Sequence, residues 1–330
     1  MTAPSPELDD FLVASGYLDP GEDSLWTPLA GGVSSDIWKV ETPRASICVK
    51  RALAQLKVTA DWSVPVERNA FEWAYMEVVA AIAPGSVPQP LAHDPGRRLF
   101  AMTWLEPETH KLWKTELLAG RVDVNAAAAI GDLLGRIHAR TATDPTAPDR
   151  FATDDNFHAI RIEPYLLTTA DKNPGIANTL REIAQLTAGT RLALVHGDVS
   201  PKNILLGPDG PVLLDAECAW FGDPAFDVAF CLNHLAVKAR IVPGARARLL
   251  ESYDAFWAAY KARIGWEPPA SLERRAAQLL PALALARVDG KSPLEYLDAD
   301  HAESLRNAAI AALKASPETL DYARAVLTAS

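Results

Sequence analysis

The stretch Leu192-Ala-Leu-Val-His-Gly-Asp-Val-Ser-Pro-Lys-Asn-Ile-Leu-Leu206 decides how this chain is interpreted. A short apolar run is followed by Asp198, and Asn203 stands five residues beyond it. A second apolar run, Val212-Leu-Leu, then delivers Asp215. Two carboxylates and one amide at this spacing are the groups that orient a hydroxyl and hold magnesium on a nucleotide. The stretch therefore predicts a site for phosphoryl transfer.

Length, composition and charge describe an ordinary folded protein. The chain has 330 residues, of which 49% are hydrophobic and 22% charged, enough for one large or two modest domains. Its formal net charge of −10 argues against a nucleic acid or an anionic membrane as partner. The amino-terminal segment is not basic, and no apolar run approaches about 18 residues. We therefore expect no signal peptide, no membrane span and a cytoplasmic location.

Residues 1–104 are predicted to form a small, β-rich lobe that binds the nucleotide. The runs with the composition of strands are 36–40, 46–50, 87–91 and 99–105. Between them, residues 65–83 carry apolar side chains at near-helical spacing. We expect a five-stranded antiparallel sheet with one helix.

Residues 105–330 are predicted to form a large, mainly helical lobe that contains the catalytic loop and the substrate pocket. The predicted helices are 124–141, 174–187, 225–237, 245–264, 271–288, 302–315 and 317–329. A connector at 103–106 joins the two lobes, and a ligand is expected between them. The predicted fold class is therefore α+β with two lobes.

Four polar residues in the stretch 192–206 and in the run that follows it are the candidate catalytic and metal-binding residues. Asp198 is the candidate catalytic residue, because phosphoryl transfer needs a carboxylate that orients a hydroxyl and accepts its proton. Asn203 and Asp215 are the metal candidates, because magnesium prefers hard oxygen ligands. Lys202 is a second catalytic candidate, whose charge would stabilise the transferring phosphoryl group. The alternative for Lys202 is a solvated loop lysine.

The motif formed by His196-Gly-Asp198, Asn203 and Asp215 resembles the His-x-Asp-x-x-x-x-Asn pattern of kinase-like folds. The form with Gly197 in the middle is similar to the aminoglycoside phosphotransferase and choline kinase-like family of small-molecule kinases. This resemblance implies a bilobal, protein-kinase-like fold that uses ATP and Mg²⁺. It also implies that Asp215 bridges to the β- and γ-phosphates and that Asn203 holds a second ion.

The run Ile47-Cys-Val-Lys50 resembles the Val-Ala-Ile-Lys strand of kinases. The resemblance implies that Lys50 contacts the α- and β-phosphates and pairs with a glutamate of the following helix. Glu72 fits best by its distance to the next strand, and Glu67 and Glu77 are the open alternatives.

Two further segments are expected to contact the nucleotide. Backbone N–H groups of a turn at Gly31 and Gly32 could approach phosphate oxygens with no side chain in the way. Gly32-Val-Ser is similar to the Gly-Met-Ser turn of aminoglycoside phosphotransferases, so Ser34 is the expected hydroxyl contact. The connector resembles the kinase hinge, which implies that the Thr103 C=O and the Leu105 N–H bind adenine.

The run from Asp215 to Asp227 bears on the substrate. Its pattern Asp-x-Glu-x-Ala-x-x-Gly-x-x-x-Phe-Asp is similar to that of methylthioribose kinases. Glu217 could bind a substrate hydroxyl or tune the magnesium, and Trp220 and Phe221 could line the pocket. Alternatively, all three pack under the next helix. By the resemblance, Asp227 begins that helix and hydrogen-bonds the backbone of the catalytic loop.

The acceptor stays open between a sugar, an amino alcohol and an aminoglycoside. An aminoglycoside needs several carboxylates around its ammonium groups, whereas basic residues accompany the acidic ones towards the end of this chain. Protein-kinase activity is not expected, because no room for an activation segment exists between Asp215 and Asp227. A nucleotide-binding pseudokinase and a transferase of AMP are the alternatives. A complete set of four residues speaks against the pseudokinase, which normally lacks at least one of them: Lys50, Asp198, Asn203 and Asp215.

Overall fold

A computed structural model describes residues 6–29, 35–53 and 67–329 of the chain. Its largest sheet contains five strands: β1 (Leu25–Pro28), β2 (Ser35–Glu41), β3 (Ser46–Ala52), β4 (Pro90–Asp94) and β5 (Leu99–Thr103). Their order in space is β1-β2-β3-β5-β4, and all neighbouring pairs are antiparallel. The predicted five-stranded antiparallel sheet is confirmed.

Two helices cover the sheet from opposite faces. Because side chains alternate along a strand, Leu99 and Ala101 face one side of β5 and Phe100 faces the other. The first side packs against α1 (Pro6–Ala14), and the second belongs to the core that includes α2 (Arg68–Ile82). The sequence predicts α2, and the structure adds α1. Lys50 lies opposite Phe100 on the α2 side.

The chain beyond β5 is mainly helical, with short strands near the deciding stretch. The helices are α3 (Trp113–Leu118), α4 (Val124–Thr141), α5 (Ala147–Arg150), α6 (Asp154–Phe157), a π-helix (His158–Leu167), α7 (Thr168–Lys172), α8 (Ala177–Gly189), α9 (Ala225–Ile241), α10 (Arg246–Lys261), α11 (Pro269–Asp289), α12 (Ala299–Ala315) and α13 (Leu320–Leu327). Single 3₁₀ turns are Pro174–Ile176, Pro201–Asn203 and Pro243–Ala245. The strands are β6 (Lys111–Leu112), β7 (Ala193–Val195), β8 (Ile204–Gly207), β9 (Gly210–Leu213) and β10 (Trp220–Gly222).

The helix α9 lies at the centre of this part, and all of its residues from Ala225 to Ala239 are buried. The helices α10 and α11 pack against it, and α10 also packs against α4. The helices α4 and α10 approach each other closely. A Cβ atom added at Gly131 of α4 would lie 2.2 Å from the carbonyl oxygen of Phe256 in α10. The loop after β7 is hydrogen-bonded to α9 through Asp227. None of the helices in the described part of the chain has both the length and the apolar character needed to cross a membrane.

The helical predictions agree with the structure to within a few residues for most elements. The predicted helix 124–141 coincides with α4, whereas the predicted helix 225–237 continues to Ile241. The main difference is the π-helix His158–Leu167, where the sequence predicts no element. Longer π-helices are rare and often occur at functional sites. The predicted α+β class, a sheet followed by a mainly helical part, is confirmed.

Candidate active site

The predicted catalytic loop is the turn that follows β7. The strand pairs with β10, and residues 193–200 are all buried, so the loop begins inside the core. The Asp227 carboxylate accepts hydrogen bonds from the backbone N–H groups of His196 and Gly197, at 2.7 and 2.8 Å. Gly197 has φ +79°, and a Cβ atom there would lie 2.7 Å from that of Cys218. Asp227 and the glycine together fix the direction in which Asp198 projects.

His196 is a packed residue of this loop. Its ring is buried and its edge contacts Tyr75. Nδ1 accepts a hydrogen bond from the Asp198 N–H at 3.2 Å, and Nε2 lies 3.1 Å from the carbonyl oxygen of Leu214. This pattern requires the neutral ring with the proton on Nε2. Burial lowers the pKa of His196 and so favours the same neutral form.

Asp198 lies between two cations. One of its oxygens, Oδ2, is 2.9 Å from Nη2 of Arg161 and 3.2 Å from Nζ of Lys202. Burial alone would raise the pKa of Asp198, but Lys202 and Arg161 outweigh it and hold that pKa well below its ordinary value. The carboxylate is therefore ionised at neutral pH and can accept a hydrogen bond from a hydroxyl.

Arg161 is a site residue that the sequence analysis does not single out. It lies on the π-helix, is almost completely buried, and also donates hydrogen bonds to the backbone oxygens of Gly197 and Ile160. It therefore holds both the side chain of Asp198 and the backbone before it. The signal in the sequence is a single arginine between two isoleucines, Ile160-Arg-Ile162, because a charge within an apolar run needs a buried partner.

Asn203 and Asp215 approach each other through a strand pair. The antiparallel strands β8 and β9 place Ile204 opposite Leu213, and the Leu214 N–H donates to the Asn203 carbonyl oxygen at 2.9 Å. The Asn203 Nδ2 donates to the Asp198 carbonyl oxygen at 3.1 Å, so its Oδ1 is the atom left to face a cation. Asp215 has φ +63°, a left-handed conformation that is uncommon for residues other than glycine.

Lys50 connects the sheet to this site. Its Nζ lies 2.7 Å from Oε2 of Glu72 on α2 and 2.5 Å from Oδ1 of Asp215. Burial opposes the charge, but Asp215 and Glu72 raise the pKa of Lys50 above its ordinary value. Of the three candidate glutamates, Glu72 is the one that contacts Lys50. Glu77 lies at the surface and pairs with Arg150.

The structure favours packing for two of the proposed substrate residues. Trp220 is buried, stacks on Phe157 at 4.3 Å, and donates a hydrogen bond from Nε1 to Asp154. Phe221 is also buried. Glu217 is different, because its carboxylate lies 3.1 Å from Nε of Arg68 and keeps part of its surface exposed. Glu217 therefore remains a polar group at the edge of the site.

The other predicted nucleotide contacts fall in two segments, of which the structure describes one. Thr103 is the last residue of β5, and its N–H donates to the Gln89 carbonyl oxygen at 3.0 Å. Leu105 lies in the segment that leaves the sheet. Gly31, Gly32 and Ser34 lie outside the described residues.

The oxygens of Asn203 and Asp215 fit a magnesium ion. Magnesium takes hard oxygen ligands, keeps several waters and binds through one or two carboxylates together with substrate phosphates. Among the described residues, no cluster of three or more His, Cys, Asp or Glu side chains suits a metal ion. A site with one carboxylate and one amide therefore has the composition for a magnesium ion that a nucleotide brings with it.

Comparison with known proteins relates this geometry to a family. A model described as "Phosphotransferase enzyme family" matches residues 25–272. The methylthioribose kinase of Pectobacterium carotovorum is 24% identical over 266 residues, which cover 68% of this chain. The match covers 65% of the length of that enzyme, which is less than two thirds.

Solved structures share the fold. A choline/ethanolamine kinase family protein from Mesorhizobium loti superposes with a TM-score of 0.54 and 17% identity, over 98% of both chains. A spectinomycin phosphotransferase, solved with ADP and spectinomycin, superposes with a TM-score of 0.51 and 12% identity, over 100% of both chains. At these identities the likeness concerns the fold alone.

Proposed function

The chain belongs to this phosphotransferase enzyme family, as its motifs predict, and we propose that it is a small-molecule kinase. It transfers the γ-phosphoryl group of ATP to a hydroxyl of a small acceptor, with Mg²⁺. The observation that carries the proposal is the ionised Asp198, held by Arg161 and Lys202 at the end of a rigid loop. The nucleotide and the acceptor meet between the lobes 1–104 and 105–330.

Asp198 orients the acceptor. In a loose phosphoryl-transfer transition state the hydroxyl needs direction more than early deprotonation. A carboxylate with a low pKa is a weak base, but it accepts the hydroxyl hydrogen bond and then the proton as the oxygen–phosphorus bond forms. Its two cations restrict its orientation, so little reorganisation is needed when the acceptor arrives.

Lys50, Asn203 and Asp215 hold the nucleotide. Lys50 is fixed by Glu72, so its charge is available to the α- and β-phosphates. Asn203 and Asp215 would hold magnesium, which would supply positive charge against the negative charge that develops on the phosphate during transfer. Gly31, Gly32 and Ser34 are proposed to contact phosphate oxygens, and Thr103 C=O and Leu105 N–H the adenine, as the family resemblance implies. Once ATP binds, Lys50 would contact the phosphates as well as Asp215.

Lys202 is proposed to serve the transferred phosphoryl group. Its Nζ is held by Asp198 although half of the side chain is exposed. Asp198 raises the pKa of Lys202 above its ordinary value, so the side chain is charged at neutral pH. A cation at this place stabilises the equatorial oxygens in the transition state.

The second candidate is a sugar kinase of the methylthioribose kinase type. It is supported by the sequence match to methylthioribose kinases and by Glu217, whose carboxylate lies near the edge of the site. A pseudokinase is less consistent with the chain, because Lys50, Asp198, Asn203 and Asp215 are all present.

The test is Mg-ATP turnover with pooled sugars, amino alcohols, methylthioribose, hydroxy acids and aminoglycosides. We expect acceptor-dependent release of ADP that Asp198→Asn abolishes, while Asp209→Asn, an exposed turn residue, behaves as wild type. The mass of the product distinguishes transfer of phosphate from transfer of AMP. Equal turnover by Asp198→Asn and wild type would refute the assignment.

A further inference from the structure

A group of basic side chains lies in the helical part of the chain, beginning with the arginine that contacts Asp198. Arg161 holds Asp198 and also lies over the Tyr165 ring, with its guanidinium carbon 5.5 Å from the ring centre. Arg287 of α11 lies over the same ring at 5.6 Å, and its Nη1 donates to the Tyr165 hydroxyl at 2.9 Å. Tyr165 therefore lies next to two guanidinium groups, and its contacts connect Arg287 to the arginine that holds Asp198.

The helix α9 contributes to the same group. His234 and Lys238 follow Phe230 at intervals of four residues, so they share one face of the helix. This face begins beside Arg161, which lies 5.8 Å above the Phe230 ring. Lys238 Nζ donates to the Tyr296 hydroxyl at 3.0 Å and lies 4.9 Å above the Tyr296 ring.

The charges of this group are not balanced. Within the described residues, Asp198 forms ion pairs with Arg161 and Lys202. No described carboxylate lies within ion-pair distance of Arg287 or Lys238. Both are buried, with exposed fractions of 7% and 1%. The hydroxyl groups of Tyr165, Ser292 and Tyr296 are the partners they do have. Two buried basic groups without a counter-charge are costly to keep charged unless an anion completes them.

Unpartnered polar atoms occur at the same place. The Nε of Arg287 and both ring nitrogens of His234 are buried and have no hydrogen-bond partner within the described part of the chain. Burial first, and Lys238 and Arg287 next, lower the pKa of His234, while Asp198 opposes them. The charges of Lys238, Arg287 and Asp198 therefore all act on the ring of His234. The Nε of Arg287 and the protonated nitrogen of the neutral His234 ring are donors that an incoming ligand can satisfy.

We propose that the acceptor carries an anionic group, a carboxylate or a phosphate, which binds to Arg287 and Lys238 while its hydroxyl lies at Asp198. The inference rests on the proposed kinase function and adds the substrate class. A guanidinium and an ammonium bind such anions through charge-assisted hydrogen bonds. Ser292 and Tyr296 supply further polar contacts. A cationic acceptor would meet repulsion at this place, and a neutral sugar would leave both charges without a partner.

The test compares acceptors that differ only in charge. The pairs are glycerate with glycerol and ribose 5-phosphate with ribose, and choline represents the cations. We expect the anionic member of at least one pair to be turned over about tenfold to a hundredfold faster at low concentration, the size of one or two charge-assisted hydrogen bonds. Glycerate and ribose 5-phosphate distinguish a carboxylate from a phosphate.

Variants then locate the effect. Arg287→Met should raise KM for the anionic acceptor about tenfold or more. Arg287→Lys should raise KM less, because it keeps a positive charge at this position. Lys238→Met provides the second variant if Arg287→Met does not fold. Arg274→Met, an exposed residue on the same helix, should leave KM unchanged.

The outcomes separate the two proposals. If neutral or cationic acceptors are used as well as anionic ones, or if no anionic acceptor is used, the anionic substrate class is wrong. The same holds if Arg287→Met and Lys238→Met both retain the charge preference. The kinase function stands in those cases as long as Asp198-dependent transfer to some acceptor is observed. If Mg-ATP is never consumed in an Asp198-dependent way, the kinase function itself has failed.

Discussion

Arg161 places a guanidinium nitrogen 2.9 Å from Oδ2 of Asp198 and donates a second hydrogen bond to the backbone of Gly197. The arginine belongs to a π-helix and the aspartate to the loop after β7, so two distant segments meet at the catalytic carboxylate. The guanidinium of Arg161 is occupied by the side chain and the backbone of this loop. Arg161 is a positioning residue, and its effect should be visible in how Asp198 titrates.

Arg161→Met should move the acid limb of the kcat/KM profile to higher pH. Removing a cation destabilises the charged carboxylate, so the pKa of Asp198 rises and its active form is lost at a less acidic pH. The pH profile of kcat/KM under Mg-ATP saturation measures the shift. Arg181→Met, whose partner Asp171 is exposed, should show the wild-type profile. An unchanged acid limb in Arg161→Met would contradict the role.

Glu72→Gln should weaken the use of ATP much more than Glu77→Gln. Glu72 fixes the buried Lys50 at 2.7 Å, whereas Glu77 forms an exposed pair with Arg150. A hydrogen bond between charged groups contributes about 1.5–3 kcal/mol, so KM for ATP should rise roughly tenfold or more. Initial rates at varied ATP measure the effect. Equal KM values for the two variants would show that the Lys50–Glu72 pair has no part in nucleotide binding.

Asp227→Ala should destabilise the protein. The substitution leaves two buried backbone N–H groups of the catalytic loop without their acceptor. Each lost partner costs about 1–3 kcal/mol, so the free energy of unfolding should fall by about 2–6 kcal/mol. Urea denaturation followed by circular dichroism measures it. Asp171→Ala, at an exposed aspartate, should change the stability by less than about 0.5 kcal/mol.

Lys238→Met should make stability less dependent on pH. Burial, together with Arg287 and Lys114, lowers the pKa of Lys238 from 10.5 to about 7. Between these values the unfolded chain holds a proton that the folded chain has released, so raising the pH stabilises the folded wild type. Below about pH 7 both states are protonated and the folded state bears the full cost of the buried charge.

The variant lacks that cost and should be more stable than wild type at about pH 6, by an amount on the order of 2–4 kcal/mol. Its advantage should decrease as the pH approaches about 10. Because His234, Cys231 and Tyr296 titrate in both proteins, the informative quantity is the difference in unfolding free energy between them. A difference that does not vary with pH would show that Lys238 keeps an ordinary pKa in the fold.

Gly131→Ala and Gly189→Ala should have opposite effects on stability. A Cβ atom at Gly131 would lie 2.2 Å from the Phe256 carbonyl oxygen, whereas Gly189 has no atom within 4 Å. Overpacking between α4 and α10 should cost about 1–3 kcal/mol. Alanine at Gly189 should be neutral or stabilise by up to about 1 kcal/mol. Thermal unfolding of both variants tests the close contact of the two helices, which equal melting temperatures would disprove.

The catalytic loop shows why much of the site could be predicted. Asp198, Asn203 and Asp215 lie within one short segment whose apolar runs form β7 and β9, so local sequence places them near each other. Predicting the partner of Lys50 required one further step. Strand alternation directs Lys50 to the α2 face, and helical spacing brings one of three glutamates there. The structure identifies it as Glu72.

Other residues depended on contacts between distant segments. Leu8, Phe11 and Leu12 have helical spacing, but only packing against β3 and β5 gives the short helix α1 a partner. Trp220 could face a ligand or the core, and stacking on Phe157 decides for the core.

By itself, the sequence determined the α+β class, the family and the order of the catalytic groups, because strand and helix periodicity and the catalytic motif are local properties. Only the tertiary structure decided that Arg161 holds Asp198 and that, among the described residues, no carboxylate lies within ion-pair distance of Arg287 or Lys238. These residues come from the π-helix, α11 and α9, and the spacing of residues along a chain does not reveal how such segments pack. Whether a buried charge has a counter-charge depends on all the segments around it.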